Sequence, residues 1–153
     1  MSPALARWGI VGVIRNLVAF LTGSHSLNLR HQGRTSLVKK NTIDRSAFNQ
    51  NANLPYDLRL IDFEHAMQDV YDFFADVNTT LSGKGLQRLD EMTRPAIMSG
   101  LISDMITAVL AKSSRALVEN QYFNGHPDLV VRGIYANDSV KAGAEGVEIK
   151  STR

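Results

Sequence analysis

The chain has 153 residues, of which 44% are hydrophobic and 21% charged, and its formal net charge is +2. These values predict one soluble globular domain that is long enough to bury a core. The chain has no cysteine, which excludes disulfides and thiolate metal sites. Any metal ion must therefore be held by oxygen ligands or by the four histidines.

The apolar run over residues 8–21 predicts a short helix near the N-terminus. Its fourteen residues, with Arg15 in their middle, are too few to span a bilayer. Arg15 and the lack of a small-x-small cleavage pattern also argue against a secretory signal peptide. We therefore expect a cytoplasmic protein without a membrane partner.

Charge is distributed unevenly along the chain. Residues 1–60 carry eight Lys/Arg and two Asp/Glu, giving +6, whereas residues 61–100 carry three and seven, giving −4. We therefore predict a basic, partly irregular N-terminal arm over residues 1–60, and a second region over residues 61–153. The arm suits contact with phosphates, although a solvated basic segment is an equally open alternative. Its candidate DNA-binding residues are Arg30, Arg34, Lys39 and Lys40.

Two helices are predicted in the middle of the chain. The first is indicated by apolar residues that step alternately by four and three positions along one helical face. These residues are Phe63, Met67, Val70, Phe74, Val77 and Leu81. Four aspartates on the opposite side indicate a solvated acidic face; they are Asp62, Asp69, Asp72 and Asp76. The second helix is predicted from about Pro95 to Leu117 and, being apolar on several sides, is expected to be buried on more than one.

Two strands are predicted near the end of the chain, over residues 129–135 and 147–152. If they pair as an antiparallel hairpin, the start of the first strand lies beside the end of the second. That pairing brings Asp128 close to Glu148 and Lys150. Glu148 and Lys150 project together because residues two apart in a strand share a face.

Two carboxylates and one ammonium group would then meet at the edge of a sheet. Two carboxylates about 4 Å apart repel by about 4 kcal/mol at an effective dielectric constant near 20, so positive charge is needed there. A hard divalent cation supplies it and can activate a bound water. The trio therefore predicts metal-assisted hydrolysis of a phosphodiester, with Lys150 orienting the water or stabilising charge on the phosphate. The alternative is that Pro-Asp is an ordinary turn and Glu-x-Lys an ordinary surface alternation.

The His-Pro-Asp and Glu-Ile-Lys triplets that contain these residues resemble the PD-(D/E)XK nuclease superfamily, which has the restriction-endonuclease-like fold. The resemblance covers about residues 95–153. It implies a core of one helix, a mixed sheet of about four strands and a further helix, with double-stranded DNA as substrate and Mg²⁺ as cofactor. It also implies that Asp128, Glu148 and the main-chain carbonyl of Ile149 are metal ligands, and that Lys150 is the catalytic base.

Three further residues have open roles. Some members of the superfamily add an acid from the first core helix, and Glu119 is a candidate for that metal ligand; the alternative is a surface glutamate at a helix end. His126 either contacts a phosphate or bonds the backbone in its turn. Lys141 either contacts DNA or is simply solvated.

The expected fold class is therefore mixed α/β (α+β), with helices over residues 60–118 followed by a β-hairpin of an incomplete restriction-endonuclease-like core. Since only three residues follow Lys150, we expect a truncated core with weak or no nuclease activity unless a partner chain completes the sheet. The expected function is that of a Mg²⁺-dependent endodeoxyribonuclease most like a type II restriction endonuclease, or an inactive fragment of one, and a homodimer is an open alternative. Two further functions stay open: a repair or recombination nuclease on the same core, and a non-catalytic helical DNA-binding or interaction module.

Overall fold

The computed structural model describes residues 40–151, so the predicted helix at residues 8–21 and the arm residues Arg30, Arg34 and Lys39 lie outside the described residues. The described helices are α1 (Leu60–Gly83), α2 (Leu89–Met92) and α3 (Pro95–Ser113), together with short 3₁₀ turns at Arg45–Ala47 and Ala136–Asp138. The strands are β1 (Leu117–Glu119), β2 (Leu129–Val131) and β3 (Gly146–Val147). The fold is therefore mixed α/β, with helices first and a small three-stranded antiparallel sheet after them.

Helix α1 forms where the apolar stripe predicts it. Phe63, Met67, Val70 and Phe74 are all buried in the core that α1 shares with α3. The helix ends at Gly83, and the backbone N–H of Lys84 caps it, so the Ser-Gly-Lys-Gly run acts as the predicted break. The four-and-three spacing thus places one continuous face of α1 against the rest of the domain.

The prediction that Asp62 belongs to the solvated acidic face of α1 is wrong. The residue is 2% exposed and lies in the first turn of the helix. Its carboxylate accepts the backbone N–H of Arg59 at 2.8 Å and a guanidinium N–H of the same arginine at 2.9 Å. Asp62 is therefore the cap that starts α1, while Asp69 and Asp76 are exposed as expected.

We expect Asp62→Ala to lower the free energy of unfolding by about 1–3 kcal/mol, because it removes a helix cap and leaves the Arg59 N–H without its acceptor. Urea unfolding followed by circular dichroism measures the change. Asp69→Ala, at an exposed position of the same helix, is the matched control and should stay within about 0.5 kcal/mol of the wild type. Equal stability of the two variants would contradict the capping role.

Helix α3 begins at Pro95, where the missing N–H costs no hydrogen bond. It packs against α1 and β1 through a stripe of four buried residues, namely Met98, Ile102, Ile106 and Leu110. The expected burial on more than one side is present in part: Leu101 and Met105 are half-buried and pack against the core, whereas Ile97 is 60% exposed. Within the described residues, α3 alone is long and apolar enough to cross a membrane by length and composition, a test that core helices of soluble proteins also pass.

Helix α3 is shorter than predicted. Helix α3 ends at Ser113, and Ser114 is extended, with its hydroxyl donating to the Asp57 carboxylate at 2.5 Å. The backbone N–H of Arg115 donates to the same carboxylate at 2.7 Å, and these bonds, that of Ser114 foremost, lower the pKa of Asp57. Leu117 is fully buried in β1, so the prediction of a helix reaching residue 118 is wrong.

The sheet has the order β1-β2-β3, with Leu117 opposite Val131 and Leu129 opposite Val147. The predicted pairing of the last two strands is present, but both strands are shorter than predicted, and β1 is an additional strand. One face of the sheet packs on the helices and joins the core. Its fully or nearly buried residues are Leu117, Leu129, Val147 and Ile149.

Part of the predicted N-terminal arm lies against the domain. Four apolar residues of this segment pack on the core; they are Ile43, Phe48, Leu54 and Leu58. The backbone N–H of Ile43 donates to the side chain of Gln68 in α1 at 3.2 Å. Lys40, a candidate DNA-binding residue, pairs with Asp76 at 3.3 Å and with Asp72 at 3.8 Å. Lys40, the one candidate DNA-binding residue of the arm within the described residues, is therefore paired with the acidic face of α1.

Candidate functional site

Asp128 and Glu148 lie opposite each other where β2 begins and β3 ends. The β2–β3 register pairs Leu129 with Val147, and one further step of that register pairs Asp128 with Glu148. Because Leu129 and Val147 point into the core, alternation directs the two acidic side chains to the other face of the sheet. The backbone N–H of Ile149 donates to Asp128 Oδ2 at 2.7 Å and fixes this carboxylate against the end of the strand.

Asp128 is half-buried, and its pKa is raised above the ordinary value for aspartate. Burial is the largest cause, and the charges of Glu148 and Asp104 add to it. The hydrogen bond from Ile149 and the charge of His126 act in the opposite direction without cancelling the rise. The site thus holds a carboxylate that a cation would stabilise in its ionised form.

Glu148 has a basic group beside each of its two oxygens. His126 Nδ1 lies 2.7 Å from Glu148 Oε2, and Lys150 Nζ lies 4.0 Å from Glu148 Oε1. The imidazole therefore bonds a carboxylate, a role that neither of the two interpretations of His126 from the sequence included. His126 is placed for this by its backbone, whose N–H donates to the carbonyl of Lys141 and whose carbonyl accepts from Gly143.

The alternation expected at the end of the chain is present. Val147 and Ile149 are 0% and 6% exposed, whereas the side chain of Lys150 is 59% exposed on the face that carries Glu148. A basic side chain with a flexible apolar stem and an exposed ammonium group can move toward a substrate phosphate. The structure therefore brings Asp128, Glu148 and Lys150 together.

Asp104 is a residue that the sequence analysis missed. It lies on α3, the helix that packs against β1, and its charge contributes to the raised pKa of Asp128. A signal was present in the sequence, because Asp104 is the one charged residue between Arg94 and Lys112 in an otherwise apolar and small-residue helix. An acid kept in such a segment indicates a specific role more strongly than an acid on a polar face.

The prediction that Glu119 lies at the end of a helix is wrong, because it is the last residue of β1. It is exposed and pairs in register with Leu129. Residues paired across an antiparallel sheet share a face, so Glu119 projects on the side of Leu129, opposite to Asp128.

The connection between β1 and β2 is held by the half-buried amide of Asn120. Asn120 Oδ1 accepts the backbone N–H groups of Tyr122 and Val140, each at 3.0 Å. Its Nδ2 donates to the carbonyls of Pro127 and Val140 at 2.9 and 2.8 Å. A Cβ at Gly125 would collide with this amide, so a larger residue there would displace it. The loop that leads into Asp128 is therefore held by Asn120 at Tyr122 and at Pro127, and it is tied to the neighbouring segment at Val140.

The remaining basic candidate of this region is Lys141. It is exposed, and the hydrogen bond from the His126 N–H to its carbonyl, at 3.1 Å, holds its backbone beside the site. Arg132 follows β2 directly and bonds the carbonyl of Arg115 at 3.2 Å, so it lies on the β1 side of the sheet. Lys141 is therefore connected to the site through His126, which also contacts Glu148, whereas Arg132 lies on the β1 side of the sheet.

The potential metal ligands of the site are all oxygen atoms. Within residues 40–151, no three side chains of His, Asp or Glu converge as a ready-made metal cluster. Two carboxylates and the main-chain carbonyl of Ile149 form a smaller, all-oxygen set. Such a set matches Mg²⁺, which keeps several waters and commonly takes one or two carboxylates from the protein. Magnesium is therefore the cation whose chemistry fits these residues.

No family model, curated protein or solved structure matches this chain. The class of protein is therefore described from its fold and its site alone. The protein is a mixed α/β domain whose three-stranded antiparallel sheet carries two facing carboxylates and a lysine at one end. The chemistry of that cluster is the basis for assigning a function.

Proposed function

We propose that this protein is a Mg²⁺-dependent endodeoxyribonuclease with a PD-(D/E)XK-type core, most like a type II restriction endonuclease. The observation that carries the proposal is the meeting of Asp128, Glu148 and Lys150 at the start of β2 and the end of β3. An antiparallel sheet that follows a core helix, with an acid directly before its second strand and Glu-x-Lys directly after its third, supports the same assignment.

The residues have distinct roles in this proposal. Asp128, Glu148 and the main-chain carbonyl of Ile149 would hold the Mg²⁺ ion. When bound, magnesium supplies a Lewis acid that neutralises phosphate charge and lowers the pKa of a bound water. Lys150 lies beside this position with its ammonium group accessible, where it orients the attacking water and serves as the catalytic base or stabilises charge on the phosphate.

The groups around the cluster hold it ready for the cation. The Ile149 N–H donates to one oxygen of Asp128, and His126 bonds one oxygen of Glu148, whose other oxygen lies 4.0 Å from Lys150 Nζ. His126 thereby positions Glu148, as an outer-shell partner commonly orients a ligating carboxylate. Such preorganisation reduces the rearrangement needed when the substrate binds.

Metal binding is the direct test of this proposal. We expect Mn²⁺, followed by electron paramagnetic resonance, to bind the wild-type chain, and the weak nicking of supercoiled plasmid expected from this chain alone to require Mg²⁺ or Mn²⁺. Glu148→Gln should weaken Mn²⁺ binding by more than the roughly 10–100-fold that loss of an outer-shell partner costs. Glu145→Gln removes an exposed acid from the same segment and should leave binding unchanged. Absence of Mn²⁺ binding by the wild type, or equal behaviour of the two variants, would overturn the proposal.

A non-catalytic interaction module is the second candidate function. It is favoured by the outer side of α3, where Ile97 is 60% exposed next to the half-buried Leu101 and Met105. An apolar helix side of this kind suits contact with another protein chain, a second copy included. For such a module, changes at Lys150 or Glu148 alter neither DNA nor metal binding.

A further inference from the structure

Two adjacent aromatic rings stand at the tip of the β1–β2 connection. Phe123 is 87% exposed, the highest value among the exposed large hydrophobic residues of the described chain, and Tyr122 is 43% exposed. Single exposed hydrophobic residues are ordinary in soluble proteins. A nearly fully exposed ring next to a second, partly exposed ring beside a polar site is less ordinary, because the exposed ring offers a flat apolar face to a ligand at that site.

The tip is held firmly, so the exposure of Phe123 is a property of the fold. The N–H of Gly125 donates to the carbonyl of Tyr122 at 2.8 Å and closes a four-residue turn around Phe123. Asn120 accepts the N–H of Tyr122 at 3.0 Å, and Asn124 adopts a positive φ of 54° within the turn. The backbone thus presents the Phe123 ring outward in one arrangement.

The aromatic tip lies on the loop that leads into Asp128. Four residues lie between Phe123 and Asp128 in the chain, so their Cα–Cα distance is at most about 18 Å at full extension. Successive nucleotides of one DNA strand rise by about 3.4 Å, so this reach spans at most about five base pairs. A base on which Phe123 stacks would therefore belong to the same bound segment as the phosphate at Asp128 and Glu148.

The charges around the tip favour a nucleic acid over a protein as the occupant. Lys141 and Lys150 are both exposed near the same end of the sheet, and His126 lies between the tip and the cluster. Cationic side chains beside an aromatic face match a polyanion that carries flat bases. Two rings bury only about 150–250 Å² each, well below the roughly 800 Å² per partner of a stable protein interface.

We propose that Phe123, supported by Tyr122, stacks on a nucleobase next to the phosphodiester held at the catalytic cluster. The inference rests on the proposed function, because it takes DNA as the ligand of this site. A ring that stacks needs a base whose face is accessible, so a DNA duplex that carries one unpaired nucleotide near the cleaved bond is the tightest-binding substrate. Intact duplex binds less tightly, because one base step must first be opened.

Binding without cleavage tests the inference most directly. The full chain is titrated, with Ca²⁺ in place of Mg²⁺, into oligonucleotides that are fully paired, carry one unpaired 2-aminopurine, or are single-stranded. We expect Phe123→Ala to weaken binding of the unpaired-base DNA by about 5- to 150-fold, which corresponds to the stacking of one base. Phe123→Trp should retain the affinity and the quenching of 2-aminopurine. Ile134→Ala, an exposed hydrophobic position on the turn that leaves β2 at its far end, should change neither.

The outcomes separate this inference from the proposed nuclease activity. If the wild type cleaves DNA but Phe123→Ala binds and cleaves all substrates like the wild type, the stacking inference alone is overturned. If Phe123→Ala changes the oligomeric state by analytical ultracentrifugation, the tip is a protein contact and the inference is overturned as well. If the wild type shows no Mg²⁺-dependent cleavage, yet Phe123→Ala selectively loses the unpaired-base DNA and its quenching, stacking is supported and the nuclease assignment fails.

Discussion

Replacing Lys150 by alanine is expected to lower Mg²⁺-dependent DNA cleavage by about 10²–10⁴-fold, the range for loss of a positioned acid–base group. Metal and DNA binding should change little, because Lys150 lies 4.0 Å from Glu148 and is not itself a ligand in the proposed site. The loss then falls on the chemical step, where charge builds on the phosphate. Single-turnover cleavage with saturating enzyme measures that step separately from binding.

Lys112→Ala is the matched control for Lys150→Ala. Lys112 is also an exposed lysine, but it lies in the last turn of α3. Its removal lowers the net positive charge equally and should leave single-turnover cleavage within about twofold of the wild type, because surface charges act mainly on association. Equal rates for the two variants would show that Lys150 acts only through general charge, contrary to the assigned role.

Asp128→Asn is expected to have opposite effects on stability and on metal binding. It should abolish Mn²⁺ binding and cleavage, since a neutral amide is a poor ligand for a hard cation. In metal-free buffer at neutral pH it should instead raise the free energy of unfolding by about 0.5–2 kcal/mol, a gain typical of relieving a strained functional site. The amide oxygen can still accept the Ile149 N–H, so the fold keeps this contact.

The pH dependence follows from the raised pKa of Asp128. The native state holds this proton more tightly than the unfolded state, for which the ordinary aspartate pKa is about 3.9. Stability of the metal-free wild type therefore falls as pH rises from that value through the native pKa, and the asparagine variant lacks this decrease. Thermal unfolding across the acidic range, with EDTA and then with Mn²⁺, measures both effects.

Asp57→Asn serves as a control that is expected to change stability in the opposite direction to Asp128→Asn. The pKa of Asp57 is lowered, because its carboxylate accepts hydrogen bonds from Ser114 and Arg115. Neutralising Asp57 should therefore destabilise the fold at neutral pH, whereas neutralising Asp128 should stabilise it. If Asp128→Asn also destabilised the metal-free protein, Asp128 would be a structural carboxylate and the metal site would lose its main support.

Much of the fold was predictable because it depends on local sequence patterns, such as the spacing of apolar residues and the position of proline. The stripe from Phe63 to Phe74 is a property of spacing alone, and it specifies which face of α1 is buried. Pro95 marks the start of α3 because proline suits a first helical turn. The end of α3 was not predictable in the same way, since Asp57, distant in sequence, holds Ser114 in an extended conformation.

The sequence by itself determined the helices, the apolar faces and the alternation that sets Glu148 and Lys150 on one side of a strand. Only the tertiary structure decided that His126, from the loop before β2, contacts Glu148, and that Glu119 lies on the opposite side of the sheet. Periodicity records which residues share a face of one element, because that depends on the backbone alone. Convergence of side chains from different elements depends on strand register and helix packing, which are decided by contacts between segments far apart in the chain.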